Sequence, residues 1–216
     1  MKKYIAFSCI VSCLFFGAMQ SKASSVCDAV AGNLVTNCGF ETGDFTGWTL
    51  SGNDVPGEEG NLYGVEGVDP VDGISPNSGS YQAYIADLDS NATTLAQTIA
   101  TTAGDQYAIT FYAAQDTAPS SGYGNELDAS FGGVTLGDES DVAVEGYTEY
   151  TYDYVATSAS STLDLTFGNG LGEFLLDDVS VVNTTPVVTP EPDSILLLGT
   201  GLLALAGVAR RRLSSR

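Results

Sequence analysis

The residues able to do chemistry in this 216-residue chain are almost all carboxylates: 27 Asp and Glu against seven Lys and Arg, with no His. The cations sit at the two ends, at Lys2, Lys3, Lys22, Arg210, Arg211, Arg212 and Arg216. Residues 24–183 hold 25 of the acids and no Lys or Arg, so their formal charge is −25. Without histidine no Ser–His–Asp or Cys–His site can be built, and without lysine no Schiff base can form. Binding to a nucleic-acid backbone displaces counterions with protein cations, which this segment lacks. Phosphate clamps and anionic lipid surfaces are excluded on the same ground. Carboxylates can still hold hard cations through oxygen or, as a pair, hydrolyse a glycosidic bond.

Within this acidic stretch a few positions stand out. Asp177 falls on the same parity as Leu175, Val179 and Val181. A carboxylate in an apolar row is costly unless something pairs with it, and no basic side chain is at hand. Asp178 takes the opposite parity and is expected on the other face. Asp87, Asp89 and Asn91 have the spacing that begins an EF-hand loop, but Ala92 and Thr98 stand where that loop needs Gly and Glu. They read as a turn. The long Gly- and Pro-rich stretch 52–80 carries Asp54, Glu58, Glu59, Glu66, Asp69 and Asp72, and loops of that length are functional or mobile. Tyr63, Tyr84 and Tyr123 are the candidate exposed rings for stacking on a sugar. Thr93 to Thr102 is rich in threonine, but as one strand without a repeated flat array it carries little weight as an ice-binding face.

These residues need a scaffold, and the scaffold reads as β. Tyr107, Ile109 and Phe111 alternate, as do Leu127, Ala129 and Phe131, then Leu163, Leu165 and Phe167; Tyr150, Tyr152 and Tyr154 form a further row. Roughly nine or ten such runs, separated by Gly, Asp, Asn and Ser, predict an all-β fold, an antiparallel jelly-roll β-sandwich. Both ends differ. Residues 1–23 have a basic start, an apolar core and small residues at Ser21 and Ala23, the pattern of a signal peptide forming a signal helix and cleaved after Ala23. An uncleaved anchor is the alternative, and a lipoprotein box at Cys13 fails because the apolar core continues past it. Residues 184–189 form an extended linker. Residues 194–209 are 16 positions without charge, about 24 Å as a helix against a hydrocarbon thickness of ~30 Å. They predict a transmembrane helix that only just spans, with Arg210, Arg211 and Arg212 held on the cytoplasmic side. Cleavage leaves Cys27 and Cys38, and an even number of exported cysteines favours a disulfide over two free thiols.

Two resemblances add to this. Pro190-Glu191-Pro192, then the apolar run with Gly199, Gly201 and Gly207, then the arginines, resembles the PEP-CTERM sorting signal over residues 190–216. That resemblance implies export in a Gram-negative bacterium that makes extracellular polysaccharide. It also implies an exosortase as the processing partner, with the chain held in the membrane by its C-terminal helix until then. Asn33 to Trp48 (NLVTNCGFETGDFTGW), the run Thr94-Leu95-Ala96-Gln97-Thr98, Gln106 to Phe111 and the closing Phe174 to Val181 are similar to galactose-binding-like jelly rolls, including many carbohydrate-binding modules. Cys38 departs from that pattern, which has a small residue there. The resemblance implies a core position for Trp48. It also implies a structural Ca²⁺ bridging Glu41, at the end of the first strand, and Asp177, with backbone carbonyls completing the shell. The alternative is two solvated carboxylates at strand ends. Together these readings point to a non-catalytic, exported surface or biofilm-matrix protein over residues 24–183 that binds extracellular polysaccharide. The alternatives are a structural surface protein without a ligand and, last, a carboxylate-pair glycoside hydrolase.

Overall fold

The computed structural model describes residues 24–52, 63–69, 73–86, 92–116, 124–140, 142, 144–169, 172–186 and 194–213. The signal segment, Tyr123, the Asp87–Asn91 turn and the Pro190-Glu191-Pro192 motif lie outside them. The chain divides after Asn183 into two compact units.

The first unit opens with a 3-10 turn, Val26–Ala29, and continues through ten strands: β1 Thr49–Ser51, β2 Tyr63–Glu66, β3 Gln82–Ala86, β4 Thr93–Ala100, β5 Gln106–Gln115, β6 Asn125–Phe131, β7 Val134–Ser140, β8 Glu145–Val155, β9 Ser160–Asn169 and β10 Glu173–Asn183. They form two five-stranded sheets, β1-β4-β9-β6-β7 and β2-β3-β10-β5-β8, here the first and second sheet. Every strand pairing is antiparallel. The all-β sandwich read from the alternation is therefore the observed architecture.

The alternation explains why these runs pair. Along β5, Tyr107, Ile109, Phe111 and Ala113 are buried, while Ala108, Thr110 and Tyr112 between them are half-exposed. Leu127, Ala129 and Phe131 of β6 and Leu163, Leu165 and Phe167 of β9 supply the facing layer. Rings bridge the sheets: Phe167 meets Phe174 at 5.4 Å, Phe131 meets Tyr154 at 5.0 Å and Tyr107 at 6.3 Å between centroids. Trp48 is buried, stacked on Phe40 at 5.7 Å, and its indole N–H donates to the Asn37 carbonyl at 3.2 Å. It is a core residue.

The opening motif is a series of turns rather than the expected strand. Asn37 and Phe40 have φ of 52° and 56°, a left-handed conformation that no strand admits. Cys27 and Cys38 are joined by a disulfide that ties the 3-10 turn to this segment. On the loop-entropy account, closing so short a loop is worth about 2–3 kcal/mol.

The second unit contains helix α1, Ser194–Leu213. It runs past the expected end at residue 209 and takes in the arginines at 210–212. Leu202, Leu203, Leu205 and Leu213 are exposed on it. Among the described residues no helix is long and apolar enough to cross a membrane, so the transmembrane helix expected at 194–209 is not borne out. The helix itself is long enough, but its uncharged run reaches only about 24 Å of the ~30 Å hydrocarbon layer; three glycines dilute that run and arginines fill the remaining turn.

Candidate functional site

The unusual chemistry gathers on the outer side of the second sheet, where β10 breaks its own alternation. The register of β10 against β5 shifts between Asp177 and Ser180. Asp178 has a φ of 51° there, as expected of a residue in a bulge. The bulge overturns the parity argument for Asp178. Both carboxylates are buried, Asp177 completely.

Their partners come from the segment before β3. Asp177 accepts from the Ser78 N–H at 3.0 Å and the Asp178 N–H at 2.7 Å. Asp178 accepts from the Ser78 hydroxyl at 2.8 Å, the Asn77 amide at 2.8 Å and the Cys27 N–H at 3.1 Å. Glu41 accepts from the Ser80 N–H at 2.6 Å and the Tyr81 N–H at 3.1 Å. Close packing holds the corner together. A Cβ on Gly39 would lie 2.4 Å from the Ser25 Cβ, and one on Gly79 would collide with the Glu41 carboxylate. Burial pushes the Asp177 carboxyl up to about 8, and the charges of Asp178 and Glu41 add to this against the two N–H donors.

The donor chemistry of this corner suits a hard cation: buried carboxylate oxygens, crowded like charge and no basic side chain to neutralise it. Glu41 and Asp177 belong to none of the three groups of acids or thiols whose ligand atoms converge within 4.8 Å among the described residues. Backbone carbonyls would have to complete any shell there. One of those groups is the disulfide with Asp28. The others are Glu66, Asp69 and Glu173 on the second sheet and Glu126, Asp128 and Asp138 on the first.

Register lays out the rest of the outer face. Asp177 lies opposite Tyr112, and Tyr112 opposite Glu149; Glu66 lies opposite Gln82. One step along, Gly64, Tyr84, Leu175 and Ala114 form a second row. Gly64 is glycine for a reason: a Cβ there would come within 2.5 Å of the Tyr84 ring. Gln82 is buried and central. It accepts from the Tyr147 hydroxyl at 2.8 Å and donates to Glu66 at 3.4 Å and the Ile74 carbonyl at 3.3 Å. Burial raises the phenol of Tyr147, with Asp177, Asp178 and Glu66 adding. Burial also raises Tyr84, helped by Glu173 and Glu66, and raises Glu66 itself, helped by Asp69 and Asp116. The Tyr112 phenol is raised by burial and by its hydrogen bond to the Glu149 carboxylate.

Beside Tyr112 the 3-10 turn overhangs the sheet and encloses a half-open cavity of about 250 Å3. Val26, Val30, Ala108 and Val182 make its apolar wall; Thr110, Tyr112, Glu149, Asp178 and Ser180 make its polar side.

Of the rings singled out in the sequence, Tyr84 lies on this outer face, whereas Tyr63 points inward and meets Phe45 at 6.2 Å, edge to face. Sequence reasoning missed Tyr112, Tyr147, Gln82, Glu149 and Glu173. Tyr112 was legible: it is the one ring of β5 on the opposite parity to Tyr107, Ile109 and Phe111. The threonine run also changes meaning. Thr94 and Thr98 of β4 bond to Thr166 and Thr162 of β9 at 2.8 and 3.1 Å, a two-strand hydroxyl array on the outer side of the first sheet.

Residues 188–212 match the PEP-CTERM protein-sorting motif, which marks a protein for export and sorting to the cell surface. A comparison with curated proteins finds no match. Among solved structures the chain is similar to TmCBM61, a carbohydrate-binding module solved in complex with β-1,4-galactotriose. The identity is 20 %, 70 % of this chain and 98 % of that one are covered, and the TM-score is 0.51. It is also similar to the CBM22-1–GH10 modules of Clostridium thermocellum endo-1,4-β-D-xylanase 10B, complexed with xylohexaose, at 18 % identity, 71 % and 29 % coverage and TM-score 0.46. The CBM22-1 xylan-binding domain of Paenibacillus barcinonensis Xyn10C aligns at 14 % identity, 69 % and 93 % coverage and TM-score 0.47. At such identities the likeness is one of fold: a jelly-roll sandwich of the kind carbohydrate-binding modules have.

Proposed function

We propose that this is an exported, PEP-CTERM-sorted surface protein whose sandwich binds extracellular polysaccharide on the outer side of the second sheet, without catalysis. The observation that carries the reading is the row Asp177, Tyr112, Glu149 beside an open cavity. A ring face, carboxylates and hydroxyls within one concavity is the mixture that sugar rings require, apolar on their faces and hydrogen-bonding at their edges. An exosortase-type enzyme is the processing partner implied by the tail. The carboxylates of Glu66, Asp69 and Glu173 lie within 4.8 Å of one another. Nearest oxygens at that spacing are compatible with the ~5–5.5 Å carboxyl separation of retaining glycosidases, so measured hydrolysis decides that alternative.

Glycan-array retention of the full chain in mild detergent tests the reading. Saturable retention of particular polysaccharides, weakened in Tyr112→Ala, is the expected result. No retention at all would leave a structural surface protein, and release of reducing ends that stops in Glu66→Gln would make it a hydrolase.

The same proposal includes a structural Ca²⁺ at Glu41 and Asp177, supported by the burial of Asp177 in a domain without cations. Melting with and without a chelator at pH 8, where the Asp177 carboxyl is substantially ionised, tests it. An unchanged melting temperature would remove the ion.

A further inference from the structure

We infer that the cavity beneath the N-terminal 3-10 turn selects an amino sugar: a pyranose carrying a free ammonium group, as in a deacetylated hexosamine polymer. The inference rests on the polysaccharide reading and names its substrate class. The cavity, about 250 Å3, falls below the ~300–1,000 Å3 of drug-sized sites, and its scale suits one sugar ring rather than several. Val26, Val30, Ala108 and Val182 give that ring an apolar wall, and the Tyr112 side chain stands at its edge. Thr110 and Ser180 offer hydroxyls.

Charge decides which sugar. Two carboxylates line the cavity, and they differ. Asp178 is buried and its oxygens already accept from Ser78, Asn77 and Cys27. Glu149 is exposed on β8, oriented by the Tyr112 hydroxyl, and available to a ligand. Asp177 lies behind Tyr112 in the same row. No Lys, Arg or His occurs anywhere in residues 24–183. A uronate or a sulfated sugar would bring a like charge to this wall with nothing to receive it. An N-acetyl group would offer neither charge nor a second donor. An ammonium gives Glu149 a charge-assisted hydrogen bond.

The test measures binding of the full chain in mild detergent to three probes: a β-1,4-glucosamine oligosaccharide, its fully N-acetylated counterpart and an oligogalacturonate. The expected result is a preference of about tenfold or more for the free amine over the acetylated probe, with no uronate binding. Glu149→Gln should erase that preference. Glu126→Gln, which removes the same charge from the first sheet, should leave it intact. Because so acidic a domain attracts any polycation, equal losses in the two variants would overturn the inference. So would equal affinity for the amine and acetylated probes, although the polysaccharide reading would then survive. If none of the three probes binds, the inference falls, and the polysaccharide reading then stands or falls on the glycan array alone. Thermal melting of each variant checks that it is folded; both substitutions lie on exposed side chains.

Discussion

The two outer faces of the sandwich are built from strands of the same kind and carry opposite surfaces. The first sheet turns Thr94, Thr98, Thr162, Thr166, Ser130 and Asp164 outward, small groups joined by short cross-strand bonds. Among the described residues that face carries no aromatic ring and no covering segment. The second sheet turns Gln82, Tyr84, Tyr112 and Asp177 outward, yet Gln82 and Asp177 are wholly buried. The difference lies in what covers each face. The disulfide-tied turn and the segment before β3 lie over the second sheet and convert an outward parity into a buried one. Parity along a strand says which side a residue takes, but whether that side meets water depends on segments distant in sequence.

The comparison can be broken at several points, the largest effect first. Asp177→Ala removes the acceptor for the Ser78 and Asp178 N–H groups. It should cost about 2–4 kcal/mol in denaturant unfolding, whereas Thr166→Ala on the bare face should stay within ~0.5 kcal/mol. Similar losses at the two positions would mean that the faces are equally covered.

The pH dependence comes next. Burial raises the folded-state value of Asp177 to about 8, above the ~3.9 of an unfolded Asp. In chelator the stabilisation is therefore complete below pH ~4 and is lost as the pH rises through about 8, at up to about 1.4 kcal/mol per pH unit. Melting curves across that window should slope downward, and Asp177→Asn should flatten them. Added Ca²⁺ should reverse the slope near pH 8, because it binds only the ionised form. A flat profile in the unsubstituted protein would show that Asp177 is not desolvated.

A third, smaller effect concerns ligand. Tyr112→Ala should weaken glycan retention by roughly tenfold, the loss of a ring contact of about 1–1.5 kcal/mol. Thr94→Ala, its counterpart on the other face, should leave retention unchanged. The smallest effect belongs to the first sheet. Asp128 lies directly opposite Asp138, and burial with the charges of Glu126 and Asp138 raises its carboxyl. Asp128→Asn should stabilise by a few tenths of a kcal/mol, since like charges in register repel and exposure screens them. A destabilisation would point to a bound cation on that face.

Some of this was legible without coordinates. Period-two alternation fixes which side of a strand is apolar, so Ile109, Phe111, Leu165 and Phe167 could be assigned to the core from the sequence. The tail motif and the absence of cations in residues 24–183 are likewise properties of residue order and composition, and they argue against nucleic-acid backbones and against His- or Lys-dependent chemistry before any fold is known. Asp177 drew notice as a charge in an apolar row. Asp178 did not, because a bulge has no period and its left-handed residue was a choice of tertiary packing. The chain also could not announce that Tyr112 and Glu149 meet, since they are 37 positions apart and joined only by the β5–β8 register. Composition and short-range pattern determined the class of fold and the sign of the surface. Long-range pairing, the disulfide and the overhanging N-terminal turn decided which carboxylates lie in the dark and which face water, because desolvation depends on everything packed around a group and not on its neighbours in the chain.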